Sequence, residues 1–347
     1  MKITKILVAL SFLFTAVTAN AGTLTVTGSM EATYQSEQDN VTGNPIGMDR
    51  ELKFAGSTEL DNGITVSVMQ DTGEQLVFGN SQIAFGNILG LATIYIGSDA
   101  DPLDGKDDVT PTAYEEANGS GSGAYIVNGV TTVSSDIGVN ADQMGIGIKL
   151  DVPFLGALDA KYYPKADGDK NEDNTASEAT NSSVGSAYSA TLTTPLSGIP
   201  LVGGALEGLV LTTGIEEKET STIANTEDHY GVTAALNYSY GPLSLGYQKK
   251  FNSRGQIAAS GDVIKYRDDI IGVAYKVNDS LSLSWNRYTS TKQADASGEV
   301  EQETDAINIG YTIGGMTIGI QDASTDNSNY TLNTKNDTRT LGISVAF

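Results

Sequence analysis

From Thr23 onward the chain alternates. Leu24, Val26, Met30, Ala32 and Tyr34 fall on one parity, and Thr25, Thr27, Ser29, Glu31 and Thr33 on the other. A period of two sustained this long defines a strand with one apolar and one polar face. The pattern recurs in pairs joined by tight turns. Leu52, Phe54 and Leu60 lead to Asp61-Asn62-Gly63 and return as Ile64, Val66 and Val68. Tyr230 to Tyr240 turns at Gly241-Pro242, Ile271 to Val277 at Asn278-Asp279, and Ile307 to Ile313 at Gly314-Gly315. Such dipeptides accept the positive φ that short hairpins require. The chain ends on Leu341, Ile343, Val345 and Phe347.

The other ends of these hairpins are long and polar: 164–184, 216–228, 291–305 and 322–337. Short turns at one rim and long loops at the other, with about sixteen strands, predict a transmembrane antiparallel β-barrel. Mid-strand apolar positions carry no charge in the clear hairpins, where a Lys or Arg would cost about 2–4 kcal/mol at the bilayer midplane. Tyr34, Tyr230, Tyr240, Tyr247, Trp285, Tyr311 and Phe347 stand near strand ends, as interfacial girdles do. A secreted β-sandwich also alternates, but it seldom needs so many hairpins in simple succession.

Export is expected as well. Lys2 and Lys5 precede an apolar run from Ile6 to Val17 and the Ala19-Asn20-Ala21 pattern, so residues 1–21 read as a signal peptide and 22–347 as the mature barrel. The chain has no cysteine, which excludes thiol catalysis, zinc-thiolate sites and disulfide scaffolds. Without Lys2 and Lys5 the 20 basic residues become 18, set against 43 acidic ones. That surface disfavours nucleic acid and favours cations.

Longer motifs add a resemblance. Glu51 to Met69 (ELKFAGSTELDNGITVSVM), Gln82 to Pro102 (QIAFGNILGLATIYIGSDADP) and the closing TLGISVAF resemble the Gram-negative general porins, particularly the sixteen-stranded alphaproteobacterial type. The resemblance implies an outer-membrane homotrimer of water-filled barrels with an inward-folded third loop, passing ions and small hydrophilic solutes by passive diffusion. It also implies that the terminal Phe347 serves assembly. Outer-membrane lipids and lipopolysaccharide would surround such a barrel.

The candidate third loop is 98–140, with Asp99, Asp101, Asp104, Asp107, Asp108, Glu115 and Glu116 against Lys106 alone. Pro111, Thr112 and Glu115 have the spacing of a helix start. Strand parity turns Lys53, Lys149, Lys161 and Lys250 inward, so an acidic loop facing a basic wall is expected at the constriction. The overall charge predicts cation preference. A substrate-specific channel, or a structural or adhesive barrel, are the alternatives, the last lacking any spare segment for a plug.

An enzyme is not expected. His229, the sole histidine, precedes a strand and reads as a rim residue, and no nucleophile motif is present. Asp167, Asp169, Asn171 and Glu178 copy calcium-loop spacing, but Glu172 stands where glycine is needed. No cofactor is expected beyond loosely bound divalent cations such as calcium.

Overall fold

The computed structural model describes residues 22–37, 44–72, 78–98, 101–117, 137–138, 143–165, 184–200, 203–221, 226–255, 263–295 and 298–347. The leader at 1–21 and the calcium-like spacing at 167–178 lie outside these residues.

Sixteen antiparallel strands close on themselves. They are β1 (Thr23–Glu37), β2 (Ile46–Glu59), β3 (Thr65–Thr72), β4 (Phe78–Ile88), β5 (Ala92–Gly97), β6 (Gly145–Val152), β7 (Gly156–Tyr163) and β8 (Ala187–Pro195). The rest are β9 (Leu209–Lys218), β10 (His229–Tyr240), β11 (Leu243–Ser253), β12 (Val263–Lys276), β13 (Leu281–Ala294), β14 (Gly298–Ile313), β15 (Met316–Asp326) and β16 (Lys335–Ala346). Each strand pairs with its sequence neighbours, and β1 pairs with β16 from Ser29↔Ala346 to Glu37↔Thr338. Phe347 completes the seam, its N–H donating to the Gly28 carbonyl at 3.0 Å while its own carbonyl accepts from Gly28 at 2.9 Å.

Alternation decides what faces out. Leu24, Val68, Ile307 and Ile343 are 71%, 49%, 61% and 43% exposed, which only a lipid solvent makes favourable for so many apolar side chains together. Tyr162, Tyr188 and Tyr230 lie on β7, β8 and β10 toward the long-loop rim, and Tyr240, Tyr275 and Tyr311 toward the turn rim. Gly63 and Gly314 hold φ of 81° and 60° in their turns. The connection from β8 to β9 is longer, with 3-10 turns at Leu196–Gly198 and Gly203–Leu206.

Three stretches expected as loops are partly strand, and 291–305 mostly so. Residues 291–305 belong mostly to β13 and β14, β9 runs to Lys218, and β15 and β16 consume both ends of 322–337. Above the lipid the outward positions turn polar, so apolar alternation stops while the backbone ladder continues. Charges there pair across strands: Lys249 with Asp269 at 2.8 Å, Arg267 with Glu299 at 2.6 Å, and Arg287 bidentate with Asp305 at 2.9 and 2.6 Å.

Ile309 lies midway between Ile313 and Asp305 on the outward face of β14. Ile309→Arg should destabilise the barrel by about 2–4 kcal/mol, measured by urea unfolding in phospholipid vesicles.

Candidate functional site

The lumen is lined by small polar side chains, and its two halves differ. Gln248, Asn286, Gln302, Thr304, Asn308, Gln321 and Thr325, on β11 and β13–β15, are at most 1% exposed. Past β16, Thr25, Thr27, Ser29, Asp49 and Glu51 on β1 and β2 are exposed on the same lumen parity.

The difference arises because the segment 101–117 after β5 folds inside and lies against the β9–β16 wall. Between Lys106 and Glu116 much of its backbone is hydrogen-bonded to that wall. The Val109 N–H donates to Gln248 Oε1 at 2.8 Å, and Asn237 donates to the Val109 carbonyl at 2.7 Å. Asn286 donates to the Pro111 carbonyl at 2.9 Å, and the Ala113 N–H to Ser284 Oγ at 2.9 Å. Gln321 donates to the carbonyls of Glu115 and Glu116 at 3.2 and 3.0 Å, and Tyr114 reaches Glu31 on β1 at 2.7 Å.

A glycine track makes room for this close approach. A Cβ at Gly214 would stand 3.2 Å from Leu103, and one at Gly272 would stand 2.7 Å from the Pro111 carbonyl. At Gly246, Gly310, Gly319 and Gly342 it would collide with Pro111, Ala113 or Tyr114. Glycine inside a strand ordinarily weakens it, so its recurrence here reflects a second backbone passing over the wall.

No helix begins at Pro111. The Thr112 hydroxyl donates to the Glu115 carbonyl at 2.8 Å instead of capping an N–H, because wall side chains already engage the groups a helix would pair. A single 3-10 turn forms at Asp104–Lys106.

The expected site residues are distributed as follows. Asp99 lies outside the described residues. Asp101 is 2% exposed, accepting from the Leu103 N–H at 2.9 Å and the Tyr163 hydroxyl at 3.1 Å. Asp104 is exposed, Asp107 half-buried and Asp108 buried. Burial pushes the carboxyls of Asp101, Asp108 and Glu115 up, and the hydrogen bonds from Leu103 and Thr110 oppose this at the two aspartates. Glu116 is pushed up to about 8, by burial first and then by Asp107 and Asp108.

The lysines do not form one opposing wall. Lys250 is 3% exposed and lies beneath the inner segment, on its own side, 3.5 Å from Asp268. Lys161 is 2% exposed, its ammonium 4.8 Å from the Tyr163 ring centroid where Asp101 enters. Lys149 is more open and pairs with Asp159 at 3.6 Å. Lys53 is half-buried on β2, in register with Asp71. Strand parity located all four on the lumen face, but it carries no information on which stretch of wall the inner segment covers.

Sequence reasoning missed Asp49 and Glu51, which line the uncovered strip, and Glu31, which accepts from Tyr114 at its edge. Their signal was available, since each alternates with an apolar neighbour on β1 or β2. His229 is the first residue of β10, at the long-loop end of the barrel. It is buried there, 3.3 Å from Glu216, which also accepts the Gly138 N–H at 2.9 Å. Among the described residues, no group of three acidic or histidine side chains could hold a metal ion.

A closed sixteen-stranded barrel with an inner segment crossing its lumen is an outer-membrane-type architecture. The fold is similar to that of the outer membrane protein OmpT of Vibrio cholerae, with 10% identity, TM-score 0.65, and 95% of this chain and 99% of that one covered. It is also similar to the anion-selective porin of Comamonas acidovorans (13% identity, TM-score 0.65, 94% and 100% covered). Salmonella typhi OmpF, in a complex with daunomycin, gives 12% identity and TM-score 0.63 over 94% and 98%. No protein-family model and no curated protein matches the sequence.

The inner carboxylates yield a pH prediction. An acid whose value is raised to about 8 is neutral below it and charged above it. Negative charge beside the lumen should therefore grow between about pH 6 and about pH 9. If the barrel conducts, its cation-to-anion permeability ratio should rise across that interval, and Glu116→Gln should flatten the rise.

Proposed function

We propose that this protein is an outer-membrane porin, a passive, cation-preferring diffusion channel for ions and small hydrophilic solutes. The observation that carries this reading is the inner segment 101–117, seated on the glycine track and leaving a polar strip open along β1 and β2. A barrel built only as a structural wall has no use for such a track. The exposed part of the strip carries Asp49 and Glu51, which concentrate cations at a narrow passage. A similar barrel belongs to an anion-selective porin in Comamonas acidovorans, so the charges lining a lumen, rather than the wall itself, set the preference.

The exposed outward apolar surface suits lipid and, in part, further copies of the chain. One similar structure is a trimer form of OmpT, and a homotrimer is the assembly we favour. Outer-leaflet lipopolysaccharide would meet the paired charges above the aromatic band, with divalent cations bridging its phosphates to the surplus carboxylates. A substrate-specific channel shares every one of these features and differs only in its aperture contacts.

Purified protein in a planar bilayer should give discrete conductance steps, and a salt gradient should give a reversal potential of cation-selective sign. Neutralising the strip with Asp49→Asn and Glu51→Gln should move that potential toward zero. Gly310→Val should lift the inner segment and enlarge the steps. An anion-selective potential in the unaltered protein would remove the cation preference, and an absence of steps would remove the channel.

A further inference from the structure

The connection from β15 to β16 also enters the barrel. Ser328–Tyr330 forms a 3-10 turn, and Ser328 and Tyr330 are only 7% and 5% exposed, as no residue of an outward-standing loop would be. Four non-glycine residues within this short connection are left-handed: Asn327, Asn329, Tyr330 and Asn333, with φ of 52°, 55°, 52° and 64°. For tyrosine that conformation costs about 1–2 kcal/mol, so a free loop would relax out of it.

Interactions with the lumen wall hold it in place. The Tyr330 hydroxyl lies 2.7 Å from Ser290 Oγ, and Ser290 and Tyr288 both donate to Asp268, at 2.5 and 2.7 Å. The Asn329 N–H donates to Gln302 Oε1 at 2.6 Å, and Asn327 donates to the Glu301 carbonyl at 2.8 Å. The Tyr330 ring packs on Tyr266 at 5.6 Å between centroids. Both rings belong to one apolar cluster with Ile270, Tyr288, Ala306, Ala323 and Ala117. Ala117 comes from the inner segment, so both inward-folded pieces contribute to one apolar cluster. Lys292 places its ammonium 4.7 Å from the Tyr330 ring centroid, a cation–aromatic contact that further favours the inward position.

We propose that the β15–β16 loop is a second constriction element, with Tyr330 as its anchor. It fills the long-loop half of the lumen over β12–β15, where the segment 101–117 ends, and confines solutes to the uncovered strip. The size limit of the passage is then set by two segments acting together. This inference rests on the channel reading, and the test separates the two.

The chain contains no cysteine, so single cysteines report cleanly on accessibility. Ser328→Cys should react with a membrane-impermeant maleimide at least roughly tenfold more slowly than Leu332→Cys, the factor that about 1.4 kcal/mol of local opening would impose. Leu332 lies in the same loop and is 64% exposed. In planar bilayers, Tyr330→Ala and a variant replacing 327–334 by Asn-Gly should roughly double the conductance, with Tyr330→Phe intermediate. They should also admit larger sugars in liposome swelling. Equal labelling of the two cysteines would overturn the proposal, and so would unchanged conductance in the shortened variant. If the unaltered protein forms no channels, the porin reading fails while the labelling ratio still decides where the loop lies.

Discussion

Hydrocarbon supplies no partner for a backbone N–H or C=O. That single constraint organises this protein. A strand in lipid must be paired on both edges, and only closure removes the last edges. Hence the first and last strands must meet, and the paired hydrogen bonds between Gly28 and Phe347 extend the closure to the final residue. Closure also creates an inside. The same strands that show Leu, Ile and Val to lipid must show Thr, Asn and Gln to a wet lumen, so a period of two runs through the wall.

A wide wet lumen would be unselective, and its partial filling is the second layer of design. The filling polypeptide also brings backbone groups that need partners. The β9–β16 wall supplies them through Gln248, Asn237, Ser284, Asn286 and Gln321. Glycines on the same face remove the Cβ atoms that would hold the segment off. The wall is therefore specialised by sector. One part is a docking surface, and the strip along β1 and β2 is left to water.

Legibility followed the solvent. Where lipid forces apolar residues onto one face, as along β10–β11 and β14–β15, strands and turns could be read directly. Above the lipid band nothing forces the outward residues to be apolar, so 291–305 looked like loop although most of it belongs to β13 and β14. The docking track was also readable in principle. Gly246, Gly272, Gly310, Gly319 and Gly342 each sit between two lipid-facing apolar residues, and a recurrent lumen-side glycine needs a reason. Strand parity put Lys250 on the lumen face. It said nothing of the segment that covers that face, because the covering is a contact distant in sequence.

That covering changes how the charge of the chain should be weighed. A formal count treats every carboxylate alike, yet many outward ones are matched across strands, as Asp305 is by Arg287. Such exposed pairs add little to stability and little to the field inside the barrel. The acids of the inner segment are depleted differently, since burial favours their neutral forms at Asp101, Asp108 and Glu116. What remains effective in the passage is a small set on the uncovered wall, Asp49 and Glu51 foremost, with Lys53 and the Lys149–Asp159 pair nearby. In the channel we propose, selectivity would be a property of which wall residues the inner segment leaves bare, and two chains of equal net charge could differ in it.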